Sequence, residues 1–222
     1  MASLALLDGA DVVSSRTLPR DADTARGLTP ALAEMLESTG WQPGDLDLVG
    51  VSIGPGSFTG LRIGVTTAKT LAYAAKTDIV AVDTLRAIAT QAPEDTDAIR
   101  VVCDAGRGEA YTATYARQTG GAPVVQTELS IINRDEWLAS LDPLVTQTGA
   151  ALDRWCRELS DDARFAAARL TDVSCWTPTA ETIGRLAIAA HATGATDDLW
   201  RLVPRYVRRS AAEEVWEARH GG

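Results

Sequence analysis

The sequence predicts an α/β protein built from two similar halves, and three observations carry that prediction. A strand–helix–strand–helix alternation runs from Leu48 to Gln91, the order that parallel pairing requires. The first strand of that unit enters a helix through a glycine-rich turn, Gly54-Pro55-Gly56-Ser57-Phe58-Thr59-Gly60-Leu61-Arg62-Ile63-Gly64. Each half of the chain opens with a hairpin pattern and closes with helical ones, although identity between the halves is too low to demonstrate duplication.

Taken in order, Ser3–Leu7 and Val12–Leu18 flank Asp8-Gly9, the signature of a β-hairpin. Asp23 can cap a helix running to Thr39, with Gly40 as its stop. Leu28, Leu32, Met35 and Leu36 form its apolar stripe, and Pro30 falls in the early turns. After Pro43-Gly44 come a strand through Ile53, the glycine turn, and a helix from Phe58 to Lys76. Ile79–Val82 reads as a buried strand, and Asp83 or Thr84 caps a helix through Gln91. Pro93–Asp97 is polar and turn-rich, a boundary between lobes. Ile99–Cys103 and Glu109–Arg117 suggest a second hairpin around Asp104-Ala105-Gly106-Arg107-Gly108, continued past Gly120-Gly121 by a strand over Val124–Ile131. Helical patterns follow at Arg134–Leu141, Ala151–Leu159 and Thr179–Ala192, with a short strand at Leu144–Thr148. The expected units are residues 1–97, residues 98–204 and a C-terminal segment, 205–222, that packs back on the first lobe.

Composition narrows the function classes. At 222 residues the chain can bury a full core, and its net charge of −9 argues against a broad nucleic-acid footprint. Cys103, Cys156 and Cys175 are odd in number and widely spaced. That pattern fits reduced thiols in a cytoplasmic protein better than a disulfide framework or a zinc site. No apolar run is long enough for a membrane span.

Three enzyme motifs nearly form, and each fails on mechanics. Gly50-Val51-Ser52-Ile53-Gly54 matches the G-x-S-x-G nucleophile elbow, but that motif needs its serine at the apex of a strand-to-helix turn. Ser52 lies inside the strand, and His191 and His220 are the only candidate bases. Ala68-Lys69-Thr70 resembles the end of a P-loop but lies mid-helix and lacks the preceding glycine spacing. Two distant histidines do not make the usual zinc or iron ligand set, so no metal site is expected.

Other constellations leave alternatives open. Gly60, Gly64, Ala68 and Ala72 recur every four residues, a stripe of small side chains flanked by Leu61, Val65 and Leu71. Such a stripe admits close approach of another element, either the protein's own sheet or a helix of a partner. Asp104 and Glu109 bracket the Gly106-Arg107-Gly108 turn. They can stabilise the turn, orient Arg107 or hold a cation, and a structural turn through Asp104, Gly108 and Glu109 is the preferred reading. Arg201, Arg205, Arg208 and Arg209 surround Pro204 and Tyr206, with Glu213, Glu214 and Glu217 close behind. A solvated mixed-charge helix is preferred there over a phosphate site.

The glycine run 54–64, the alanine-rich helix after it, Val82-Asp83-Thr84-Leu85, Asp104-Ala105-Gly106-Arg107-Gly108-Glu109-Ala110-Tyr111 and Pro204-Arg205-Tyr206-Val207-Arg208 occur in this order along nearly the whole chain. In that series the chain resembles the TsaB (YeaZ) family. The resemblance implies an actin-like ATPase (ASKHA) fold with two RNase-H-like lobes. It also implies a non-catalytic partner subunit in making threonylcarbamoyladenosine beside the tRNA anticodon. Implied partners are a TsaD-type catalytic subunit and a TsaE-type ATPase, with a homodimer as a further possibility and tRNA met only through the complex. ATP or ADP is implied only weakly or at a partner interface. Family pairing through the first two helices points to Leu28, Leu32, Met35, Leu36, Gly60, Leu61, Gly64, Val65, Ala68 and Leu71 as interface residues. Gly54, Pro55, Gly56, Ser57, Phe58, Thr59, Gly60 and Arg62 correspond to the family's glycine turn. The alternatives are a stand-alone serine hydrolase or peptidase using Ser52, and a nucleotide-binding regulator.

One departure stands out. The resemblance implies a further apolar strand ending in Asp-x-Ser/Thr before the first hairpin, whereas this sequence starts at Met1-Ala2-Ser3-Leu4. Either the start is assigned too far downstream, the preferred reading, or the strand is lost. Without that strand the sheet is expected to have unpaired backbone groups and an open seam in the core.

Overall fold

The Asp-Gly turn folds as expected: β1 (Ser3–Asp8) and β2 (Asp11–Thr17) pair antiparallel, with Gly9 at φ 57°. The structure, a computed structural model, describes residues 2–19, 24–118 and 121–208. Asp23, Gly120, Arg209, Glu213, Glu214, Glu217 and His220, singled out above, lie outside those residues.

Helix α1 (Thr24–Thr39) ends at Gly40, whose φ of 74° is the left-handed turn that closes a helix. β3 (Leu48–Gly54) leads through the glycine turn into α2 (Phe58–Ala75), and β4 (Asp78–Asp83) returns parallel to β3. Asp83 accepts the Arg86 backbone N–H at 2.8 Å and caps α3 (Thr84–Thr90). The parallel pairing read from the strand–helix alternation is therefore present.

The second half forms one sheet in the order β7–β6–β5–β8. β5 (Ala98–Gly106) lies inside it, antiparallel to β6 (Glu109–Ala116) and parallel to β8 (Thr146–Thr148). β7 (Val124–Asn133) pairs antiparallel with β6. α4 (Arg134–Ala139), α5 (Leu152–Glu158), α6 (Ala163–Ala166) and α7 (Ala180–His191) follow. β8 is shorter than the sequence suggests. Asp142 accepts the Leu144 N–H through its side chain and the Val145 N–H through its carbonyl, so a turn occupies the expected strand start and leaves Leu144 exposed. One face of this sheet packs on Leu85, Ile88 and Ala89 of α3, and the other covers Trp137, Leu152 and Trp155.

α7 packs across the lobe division taken from sequence order. Its Ile183 and Ala187 join Val80, Val82 and Ala87 in one cluster, so a helix grouped with residues 98–204 covers the first lobe. The cause is steric fit. A Cβ on Gly50 would stand 2.7 Å from that of Ala187, and one on Gly184 would stand 2.7 Å from Leu7. Only a small-residue face can lie that close to both β1 and β3.

The first lobe consequently has three layers. α1 and α2 cover one face, with Met35 and Leu36 against Leu6 of β1, and Val65, Ala68 and Ala72 against Val49 and Val51 of β3. α7 covers the other. The middle layer is split into two separate sheets, β1–β2 and β3–β4. A cavity of about 1540 Å³ runs along β1 and β3 and continues to the glycine turn and the second lobe. Protein interiors are close-packed with few voids larger than a water molecule, so a space of this size between two sheets is exceptional.

Candidate functional site

The glycine turn stands at the end of that cavity and at the junction of the lobes. Gly54 adopts φ 113°, and a Cβ there would lie 2.9 Å from Leu61 and 3.0 Å from the Arg205 carbonyl oxygen. The position therefore needs glycine both for conformation and for space. The turn's polar groups are largely engaged within the chain. The buried Gly54 N–H donates to Thr84 Oγ1 at 3.1 Å, and the Gly60 N–H donates to Ser57 Oγ at 3.3 Å. Backbone donors used in this way are not presented to an anion as a phosphate loop presents them.

The stretch expected as a mixed-charge helix is not helical over residues 202–208. It forms an irregular strap across the mouth between the lobes. Pro204 lacks a backbone donor, and the next N–H, that of Arg205, donates to Ile53 O at 2.7 Å. Arg205 also pairs with Asp83 at 2.9 Å. Tyr206 stacks on Phe58 with centroids 4.7 Å apart and accepts a hydrogen bond from Arg62 Nε at 2.9 Å. The Arg62 guanidinium lies over the Phe58 ring at 3.9 Å, a cation–π contact that completes the stack. Val207 then packs on the core of the second lobe, and Arg208 pairs with Glu109 and donates to the Ala105 carbonyl. Residues 205–208 thus bind to both lobes.

Asp83 is the hub of this junction. Besides capping α3 and holding Arg205, it accepts from the Tyr115 hydroxyl at 3.3 Å, across to the second lobe. Sequence reading recognised its capping role only. The signal for the rest, an arginine-rich Pro204-Arg205-Tyr206-Val207-Arg208 segment with no carboxylate inside it, was legible but had no partner assigned.

The other candidates fall into place individually. Asp104 Oδ1 accepts the Gly106 N–H at 2.9 Å and closes the turn, while Glu109 faces Arg208. Leu28, Met35, Leu36, Val65 and Ala68 are buried in the chain's own core, whereas Leu32, Gly60, Leu61, Gly64 and Leu71 are half-buried and line the cavity. Ser52 lies 2.5 Å from Thr84 Oγ1 as a hydroxyl pair. His191 pairs with Asp78 at 2.8 Å, and Asp78 aligns with Leu48, at the opposite end of β3 from Ser52. Four residues of strand separate the two, roughly 13 Å, so this histidine does not reach the serine as a base. Among the described residues no three His, Cys, Asp or Glu side chains gather as a metal site, and no helix is long and apolar enough to cross a membrane.

Cys103 is free and buried in the core beside Tyr111, and burial pushes its thiol up to about 12. At pH 8 only about one molecule in ten thousand would carry the thiolate there. The unfolded thiol ionises near pH 8.5. This site therefore contributes stability that is full below about pH 8.5 and declines as pH rises toward 12. Tyr115 acts with the same sign, raised chiefly by burial and further by Asp83. Iodoacetamide at pH 8 is expected to label the half-buried Cys156 and Cys175 before Cys103, by peptide mass mapping. The unfolding temperature should fall steadily from pH 8 to 11, and a flat profile would contradict the assignment.

Comparison with known proteins adds three findings. Residues 16–215 match the family described as TsaD, tRNA N6-adenosine threonylcarbamoyltransferase. The tRNA threonylcarbamoyladenosine biosynthesis protein TsaB of Bacillus subtilis is 38% identical over 112 residues, 50% of this chain and 48% of that protein. The chain thus matches about half the length of that relative. TsaB of Escherichia coli is 28% identical over 190 residues, 83% of this chain and 80% of its own. Among solved structures, a Pseudomonas aeruginosa protein described as similar to peptidase YEAZ superposes with TM-score 0.76 at 24% identity, covering 93% of this chain and 94% of that one. YeaZ from the same organism gives 0.74, also at 24% identity, covering 92% and 93%. Together with the family match, these overlaps assign the actin-like ATPase fold.

Proposed function

This chain belongs to the TsaD-type family, among its TsaB (YeaZ) members, and we propose that it acts as a partner subunit in threonylcarbamoylation of the adenosine next to the tRNA anticodon. The family match over residues 16–215 carries this reading. The site geometry supports a non-catalytic role, because the serine of the G-x-S-x-G stretch is held by Thr84 and the glycine turn spends donors on the chain itself.

The docking element we propose is the α1–α2 layer, and the catalytic TsaD-type subunit is its partner. The buried members of that layer, Met35, Leu36, Val65 and Ala68, act from beneath by fixing the two helices. Direct contact falls to the outward face of α2. Tyr73 is 63% exposed there and meets Trp200, 75% exposed, edge-on with centroids 5.7 Å apart. Exposed Tyr and Trp side chains are typical binding hot spots. A TsaE-type ATPase joins through the same complex, and any ATP or ADP is held weakly or between subunits.

Tyr73→Glu places a charge on that face without touching the core. Capture of a purified TsaD-type protein by this variant should fall at least about tenfold relative to the native chain, with the unfolding temperature unchanged. Undiminished capture would remove α2 as the docking element. Failure of the native chain to bind any TsaD-type protein would remove the functional reading itself.

A further inference from the structure

The strap is anchored firmly at one end and lightly along the rest. Leu202, just ahead of it, is buried in the first-lobe core with Val65 and Ile79, and Lys69 donates to its carbonyl at 2.9 Å. Beyond that anchor no residue from 203 to 208 belongs to a helix or a strand, and Val203 is exposed. Among the described residues, the remaining hold consists of backbone bonds at Arg205 and Ala105, two ion pairs, the Tyr206 stack and one half-buried apolar side chain, Val207. Both ion pairs reach water, since even the most buried of their four side chains, that of Arg208, is 22% exposed. Such pairs are individually weak and are screened by salt. A segment held by few buried contacts opens far more readily than the core around it.

Residues 205–208 form part of the cavity wall at the lobe junction, together with Thr84 and Ile88 of α3 and Cys103 and Tyr111 of the second lobe. Val207 rests on the cluster that contains Cys103 and Tyr111, and Cys103 is only 7% exposed. The lobes do not depend on the strap to stay together. α3 places Leu85 and Ile88 in the core of the second lobe and Ala87 in a cluster of the first. Asp83 likewise keeps the Arg86 N–H and the Tyr115 hydroxyl when Arg205 leaves it.

We propose that residues 203–208 are a releasable latch: two ion pairs hold them over the lobe-junction end of the cavity, and lifting them about Val203-Pro204 opens that end to solutes while both lobes stay folded. The pivot lies between the buried Leu202 and the first lobe-junction contact, at Arg205. Pro204 has no N–H, so no backbone donor is lost where the chain bends. When the latch lifts, both guanidiniums, both carboxylates, the Arg205 N–H and the Ile53 carbonyl exchange their partners for water. The apolar loss is confined to Val207 and to the face of Tyr206 on Phe58. The balance between closed and open is therefore set largely by charge, and it moves toward open as ionic strength rises. This assignment is independent of the proposed partner role.

Cys103 is a built-in reporter of the open state, and Cys156, which does not line the cavity, is the internal reference. The full chain is treated with N-ethylmaleimide at pH 8, and the rate at each cysteine is read by peptide mass mapping. Arg205→Gln combined with Arg208→Gln should raise the Cys103 rate at least about tenfold and leave Cys156 unchanged. Raising salt from about 0.05 to 0.5 M should speed Cys103 about threefold in the native chain and leave the double variant unaffected. An unaltered Cys103 rate in the double variant overturns the latch, and so does a native chain in which Cys103 reacts as fast as Cys156. A Cys103 rate in the double variant that climbs with urea as steeply as global unfolding also overturns it, because opening then requires the whole chain to unfold. If the double variant does not fold, the native salt titration decides. A threefold rise at Cys103 alone supports the latch, and no rise overturns it.

Discussion

Gly149→Ala is expected to destabilise the protein by more than about 4 kcal/mol, a large share of the roughly 5–15 kcal/mol that holds a domain together. Gly149 lies where β8 leaves the sheet for α5, at φ 117°. A Cβ there would stand 2.3 Å from the Val102 carbonyl oxygen and 2.9 Å from the Val102 nitrogen. These are backbone atoms of β5, which is bonded on both edges and cannot shift without breaking either pairing. The Val102 carbonyl also accepts the Ala151 N–H at 3.0 Å, so displacing it removes the start of α5 as well. Urea unfolding measures the loss. Gly44→Ala is the control, because its Cβ would meet nothing within 4 Å, and it should change stability by less than about 0.5 kcal/mol. A Gly149→Ala protein as stable as that control would show that β5 can move.

Asp83→Ala is expected to cost about 2–4 kcal/mol and to release the strap. The missing helix cap on Arg86 N–H accounts for about 1 kcal/mol. Leaving the largely buried Tyr115 hydroxyl without its carboxylate acceptor accounts for about 1–3 kcal/mol. The Arg205 pair contributes less than about 1 kcal/mol, because both side chains remain partly exposed to water. Its consequence is positional. Arg205 and the Arg208–Glu109 pair are the ends of a segment tied to different lobes. Asp83→Asn should restore much of the cap but not the charge on Arg205. Equilibrium unfolding gives the stability term, and limited proteolysis near residues 205–208 reads the strap. A loss below about 0.5 kcal/mol with unchanged proteolysis would mean the strap is held elsewhere.

Both predictions concern residues whose weight is invisible in the sequence. Asp83 reads as a helix cap, because a cap depends on neighbours three residues away. Its bonds to Tyr115 and Arg205 join positions far apart in the chain. Gly149 reads as one more loop glycine, since nothing local announces the Val102 carbonyl above it. The four-residue stripe on α2 was legible as a demand for close approach, but the stripe divides. Ala68 and Ala72 face β3, while Gly60 and Gly64 face the cavity. Helical period gives the angle of a residue around its own axis and says nothing of what stands opposite.

The sequence by itself determined most of the strands and helices, the parallel β3–β4 unit, and the caps at Asp83 and Gly40. Those features arise from period, turn chemistry and chain order, which act over a few residues. Only the tertiary structure decided that α7 returns to cover the first lobe, that the Pro204–Arg208 segment is a strap instead of a helix, and that the α2 stripe divides between β3 and a cavity. Each of these depends on surfaces that meet only in the folded chain. There, a Cβ too many or a backbone donor without a partner costs more than local preference can offset.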